Sequence, residues 1–158
     1  LVLVDPVMGD HGKPYRTCTP ELCRRMKELA AQADVITPNL TEAALLLGED
    51  YASRPRDEAG LRAWLERLSL DGRRSVVLTG VGLHPGTTGA GCFDRETGLI
   101  SFATARQEPA RFSGTGDLFA SVLLGSLLRS LSSAVRPIPW PWGLPWPRAS
   151  SLSPCWVS

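Results

Sequence analysis

The 158-residue sequence predicts an α/β protein, a doubly wound and mainly parallel sheet with helices on both faces. Three observations lead there. Apolar runs without alternation at 1–4 and 76–78 have the pattern of strands buried on both faces. Between them lie segments of helical periodicity with cap signals at their ends. Loops rich in glycine and acidic residues follow the strands, on the side where such sheets bind ligands.

Each element has its own justification. Leu1–Val4 reads as a buried strand, followed by the loop Asp5–Thr17. Thr19 is placed to cap a helix with Pro20 at its first position and Leu22, Met26, Leu29, Ala30 and Ala33 on its inner face. Val35–Thr37 is a short strand, and a helix from about Thr41 runs through Ala43–Leu47 to stop at Gly48. Another helix spans about Asp57 to Ser69, with Leu61, Trp64, Leu65 and Leu68 on one face. Ser75–Thr79 is again a buried strand, and Gly89–Asp94 with Leu99–Thr104 reads as a hairpin. A last apolar helix runs from Thr115 to about Arg129.

Bulk composition narrows the function classes. A net charge of +1 gives no reason to expect nucleic acid or a membrane surface as partner. No apolar run reaches the roughly 18 residues of a membrane span. No basic segment followed by an apolar stretch and a cleavage site argues for export, so the expected location is the cytoplasm. Cys18, Cys23, Cys92 and Cys155 form no CxxC pair and no zinc spacing, and reduced structural thiols are expected.

Three loops carry the candidate chemistry. Gly114-Thr115-Gly116-Asp117 stands directly before an apolar helix. Glycines there let backbone N–H groups converge on an anion, the helix dipole adds to the attraction, and a carboxylate can take the proton of an attacking alcohol. An ordinary turn whose Asp stabilises the helix start explains the same four residues. Pro38-Asn39-Leu40-Thr41-Glu42 follows a strand and, taken alone, is a capping box with Asn39 as N-cap and Glu42 reaching back. Asp5-Pro6-Val7-Met8-Gly9-Asp10 offers two carboxylates for a metal or a metal-bound water, or two solvated loop acids. Together they supply an anion nest, a base and acceptors for magnesium, the parts that phosphoryl transfer requires. The chain has no GxxxxGK[ST] run, so it is not a P-loop enzyme.

The stretches LVLVDPVMGDHGKPY (1–15), ADVITPNLTEAALLLG (33–48), VVLTGVG (76–82) and FSGTGDLFASVLLGSLL (112–128) resemble the ribokinase-like superfamily, and within it the pyridoxal (pyridoxine, pyridoxamine) kinases. The resemblance covers residues 1 to about 130 in the family's order and spacing. It implies transfer of the ATP γ-phosphate to the 5′-hydroxymethyl of a B6 vitamer, in salvage to pyridoxal 5′-phosphate. Asp117 would be the catalytic base, with Gly114, Thr115 and Gly116 as the anion hole. Asp10, Thr37, Asn39 and Glu42 would surround the ATP phosphates and Mg²⁺, Glu42 acting through water, and Thr79 and Gly80 would line the nucleotide. Asp5, Asp10 and Glu42 are the candidate metal acceptors. Tyr15 is a weaker candidate for the nucleotide or substrate side, whereas His11 and His84 are not required. Hydroxymethylpyrimidine (phosphate) kinases of thiamin synthesis share this ground plan and are the alternative, and a non-catalytic nucleotide-binding fragment is another.

Both ends depart from that pattern. The family's N-terminal part, which supplies the first strands, most contacts to the pyridine ring and often the dimer-forming elements, is expected to be missing. The partial kinase domain is therefore set at 1–130, with a homodimer implied for a full-length member. Residues 131–158 form a Pro/Trp-rich tail, holding six of the 13 prolines and four of the five tryptophans. That tail reads as disordered, as a recognition segment or as out-of-frame sequence. The expectation is that the chain folds poorly or binds nucleotide without turnover.

Overall fold

In the computed structural model, residues 1–108 and 114–131 are described, without the side chains of the last two. The expected tail beyond them and Cys155 lie outside the described residues. The chain divides into two compact units, residues 1–113 and the segment from Gly114 onward.

The first unit is built on a five-stranded sheet. Its strands are β1 (Leu3–Val4), β4 (Val35–Ile36), β5 (Ser75–Thr79), β6 (Thr87–Phe93) and β7 (Ile100–Arg106), adjacent in that order. The β1–β4 and β4–β5 pairs are parallel, and β6 and β7 extend the sheet antiparallel. The buried strand centres Ile36, Val76 and Leu78 join Leu61, Leu65 and Leu68 of helix α3 (Glu58–Leu68) in the core. That helix matches its expected inner face residue for residue, with Trp64 also buried.

Helix α1 (Pro20–Ala30) begins as expected, Thr19 Oγ1 accepting from Leu22 N at 3.2 Å. Its inner face matches only in part. Leu22 and Leu29 are 43% and 49% exposed, whereas Ala30 and, just past the helix, Ala33 are buried, with Met26 partly so. The inward stripe is therefore Met26 and Ala30, one turn apart. The cysteine expectation also needs correction. Cys18 and Cys23 form a disulfide with Cα atoms 6.0 Å apart, and among the described residues only Cys92 is free. The physical reason lies in the cap. With Thr19 as N-cap, Cys18 and Cys23 occupy the N′ and N4 positions, whose side chains meet in a hydrophobic staple.

Two further elements lie where no strand or helix is expected from the sequence. Strands β2 (Gly9–Asp10) and β3 (Lys13–Pro14) make a small antiparallel hairpin inside the Asp5–Thr17 loop. A 3₁₀ turn, Tyr51–Ser53, follows helix α2 (Leu40–Leu47). Helix α2 stops where Gly48 takes the left-handed conformation at φ 73°, which glycine adopts without the penalty a Cβ would bring. The described residues of the second unit form helix α4 (Thr115–Leu131), with Gly114 before it. No helix among the described residues is long and apolar enough to cross a membrane.

Arg74 ties two helices to the sheet. Its buried guanidinium donates from Nε to the Leu68 carbonyl at 2.7 Å and from Nη1 to the Ala30 carbonyl. These are the last residues of α3 and α1, whose terminal carbonyls have no partner within their own helices. A cation at two helix C-termini also meets the negative ends of both dipoles. Burial pulls the guanidinium down to about 10, leaving it charged at neutral pH. Arg74→Met should lower stability in urea by about 2–4 kcal/mol, through the loss of two charge-assisted hydrogen bonds, since the Ala30 carbonyl keeps only its bond from Ala33 N at 3.2 Å. Arg74→Lys, which cannot reproduce the fork, should recover only part of that loss.

Candidate active site

The carboxyl ends of the parallel strands gather most of the sequence-predicted residues. At the end of β4, buried Thr37 donates its hydroxyl to Asp5 Oδ1 at 2.8 Å, joining this strand to the loop after β1. Two residues on, Asn39 caps α2. Its Oδ1 accepts from Thr41 N at 2.8 Å and Glu42 N at 3.0 Å, while Glu42 Oε2 accepts from Asn39 N at 2.8 Å. The capping box read from sequence is thus present in full.

Both members also reach beyond the helix. Asn39 Nδ2 donates to the Gly9 carbonyl at 2.9 Å, and Glu42 Oε1 accepts from Met8 N at 3.1 Å. A helix cap has therefore become a clasp on the segment between β1 and the hairpin. Thr79 closes the third side. Its N–H donates to the Pro38 carbonyl at 2.9 Å, and it pairs with Asn39 across a parallel bridge. Gly80 is exposed at φ 73°, and a Cβ there would meet nothing within 4 Å.

Asp10 stands on the hairpin. Its Oδ1 accepts from His11 N at 2.8 Å and its Oδ2 lies 3.3 Å from His11 Nε2, with both side chains at least half exposed. Tyr15 is exposed just past β3. His84 is exposed on the loop after β5. It borders a cavity of about 500 Å³ shared with Leu40, Arg54, Arg56 and Val81. The walls of that cavity come from the segments 54–56 and 81–85 together with Leu40 of α2 and Leu61 of α3, which are distant in sequence.

Gly114, Thr115, Gly116 and Asp117 form the start of α4, all four exposed. Gly114 takes φ 80° and its carbonyl accepts from Leu118 N at 3.1 Å, which opens the helix. The first turn of any helix presents N–H groups without intrahelical acceptors, and here Asp117 stands among them.

Glu42 is a buried carboxyl that titrates above its ordinary range. It is 4% exposed, and burial raises it to about 7 from an ordinary 4.5. Backbone N–H donors at Asn39, Met8 and Gly9 pull the other way, and the nearby charge of Asp5 pushes further up. Among the described residues no group of three His, Cys, Asp or Glu is placed to hold a metal by itself. The donor set fits instead a Mg²⁺ that arrives with phosphates, since such an ion needs only one or two carboxylates, often through water. Asp5, Asp10 and Glu42 are the residues that would receive it.

Because Glu42 is raised in the folded chain, its stabilising contribution is complete below the unfolded value and is lost as pH rises through about 7. Urea stability should therefore fall, on the order of 2 kcal/mol, between about pH 5 and pH 8. Glu42→Gln should abolish that slope, and an equal slope in both proteins would contradict the assignment.

Comparison with known proteins gives this arrangement its family. A family model described as phosphomethylpyrimidine kinase matches residues 1–137. Pyridoxal kinase PdxY of Deinococcus radiodurans is 32% identical over 143 residues, covering 84% of this chain and 46% of that protein. The crystal structure of pyridoxal kinase from Lactobacillus plantarum superimposes with a TM-score of 0.68 at 37% identity, covering 79% of this chain and 44% of that one. Pyridoxal kinase from Leishmania donovani in complex with ADP and pyridoxamine gives 0.67 at 30% identity, covering 80% and 41%. The chain thus spans under half the length of these relatives. It belongs to the phosphomethylpyrimidine kinase family, as a ribokinase-like member of the pyridoxal-kinase type.

Proposed function

We propose that this chain carries the nucleotide-binding part of a kinase that transfers the ATP γ-phosphate to the 5′-hydroxymethyl of a B6 vitamer. The observation that carries this reading is the Asn39–Glu42 clasp, which draws the loop after β1 and the end of β5 to one helix start. Asn39 lies beside the nucleotide phosphates, Thr79 and Gly80 line the nucleotide, and Thr37 fixes the orientation of Asp5. Asp5, Asp10 and Glu42 would hold Mg²⁺, which would supply neutralisation of phosphate charge. The backbone N–H groups of Gly114, Thr115 and Gly116 receive the transferring phosphoryl group. Asp117 accepts the proton of the attacking hydroxyl while its oxygen bonds to the γ-phosphorus and the bond to the β-phosphate oxygen breaks, releasing ADP. Relatives in complex with ADP and pyridoxamine support this choice of ligands. The cellular role that follows is B6 salvage in the cytoplasm, by a homodimer in the full-length form.

The description of the matching family favours one second reading, a hydroxymethylpyrimidine (phosphate) kinase. Both readings give this chain the same nucleotide end and differ in the acceptor.

Calorimetric titration of the chain with Mg·ATP should give saturable binding. Asp117→Asn should leave that affinity within about twofold while lowering phosphate transfer about 10²–10⁴-fold. Binding without transfer to pyridoxal in the unsubstituted chain would assign this polypeptide a nucleotide-binding role alone. Transfer to hydroxymethylpyrimidine in preference to pyridoxal would favour the second reading, and absence of Mg·ATP binding would sink both.

A further inference from the structure

The hairpin that carries Asp10 is held by Thr41, which lies in the Pro38–Glu42 motif without a role there, and by Tyr51, which no motif identifies. Gly12, at its tip, donates its N–H to Thr41 Oγ1 at 2.9 Å, and Thr41 is buried in the first turn of α2. Gly12 also lies against the ring of Tyr51, in the 3₁₀ turn after that helix. A Cβ at Gly12 would fall 2.9 Å from Tyr51 Cε1 and nearer still to Cδ1. Only a glycine fits, both for that contact and for its φ of 79°. The ring itself is anchored. It packs against the core, and the Arg54 guanidinium lies 4.2 Å from its centroid while Nη1 donates to the Tyr51 carbonyl at 3.3 Å.

We propose that Thr41 and Tyr51 are positioning residues that hold the Gly9–Pro14 hairpin in one place, so that Asp10 faces the bound nucleotide. This inference rests on the phosphoryl-transfer reading above. The hairpin has only two paired residues per strand, too few to fix its own position. At its base the Asn39 amide holds the Gly9 carbonyl, and Tyr15 N donates to the Met8 carbonyl at 2.9 Å. Those contacts leave the tip free to swing. The Thr41 hydroxyl and the Tyr51 ring remove that freedom before ligand arrives, so less ordering cost falls on binding.

Two pairs of substitutions separate positioning from simple loss of core. Thr41→Val keeps the volume and removes the acceptor, whereas Thr41→Ser restores it. Tyr51→Ala removes the ring, whereas Tyr51→Phe keeps it. Amide hydrogen exchange and Mg·ATP titration of the whole chain read the result. The Gly12 amide should exchange at least about tenfold faster in Thr41→Val and Tyr51→Ala, with β4 and β5 amides unchanged in Thr41→Val. Mg·ATP affinity should fall about tenfold in the same two variants. Thr41→Ser and Tyr51→Phe should match the unsubstituted chain in both readouts. Unchanged Gly12 exchange in Thr41→Val and Tyr51→Ala would overturn the proposal, as would faster exchange with undiminished affinity. If the unsubstituted chain binds no Mg·ATP, the kinase reading fails instead, and Gly12 exchange alone then decides whether the clamp exists.

Discussion

The reciprocal bond between Asn39 and Glu42 does two jobs that a helix cap rarely combines. An N-cap side chain normally satisfies orphan N–H groups of its own helix and ends there. Here Asn39 spends its remaining amide donor on Gly9, and Glu42 spends its second oxygen on Met8. The start of α2, the end of β4 and the segment leaving β1 therefore share one hydrogen-bond network. Thr79 joins it through Pro38 and the bridge to Asn39. Remove the network and three strand ends lose their common reference point. A buried carboxyl at its centre is costly, which is why Glu42 titrates so high. Perturbed carboxyls of this kind cluster at functional sites.

Much of this was legible in the sequence, and for physical reasons. Local signals were decisive where partners are close along the chain. Asn39 and Glu42 are three residues apart, Thr19 and Leu22 likewise, and Gly48 ends its own helix. The face of α3 could be read because Leu61, Trp64, Leu65 and Leu68 all turn inward to one core. Helix α1 shows the limit of that method. Leucines at Leu22 and Leu29 suggest an inner face, yet periodicity reports which side is apolar, not which side is covered. The stripe that is covered holds Met26 and Ala30.

What could not be read depends on distance along the chain. Arg74 looks like one basic residue among several, and nothing near it announces that the Ala30 carbonyl, 44 positions earlier, is its acceptor. Tyr51 follows a helix stop and has no sequence feature to connect it with Gly12. The β2–β3 hairpin escaped because its strands are two residues long, too short for alternation to show. The disulfide between Cys18 and Cys23 is a different case. Its five-residue spacing matches no redox or zinc motif, but the N-cap assignment alone places both residues where side chains meet.

A substitution that preserves the cap while cutting its outward arm isolates the central claim. Serine caps a helix about as well as asparagine but has no amide to donate to Gly9. The thermal shift produced by Mg·ATP should therefore be measured for Asn39→Ser beside the unsubstituted chain. The account predicts a variant that folds, with α2 intact, and whose Mg·ATP shift is largely lost. A folded Asn39→Ser chain with the full Mg·ATP shift would show that the clasp on Gly9 plays no part in the site.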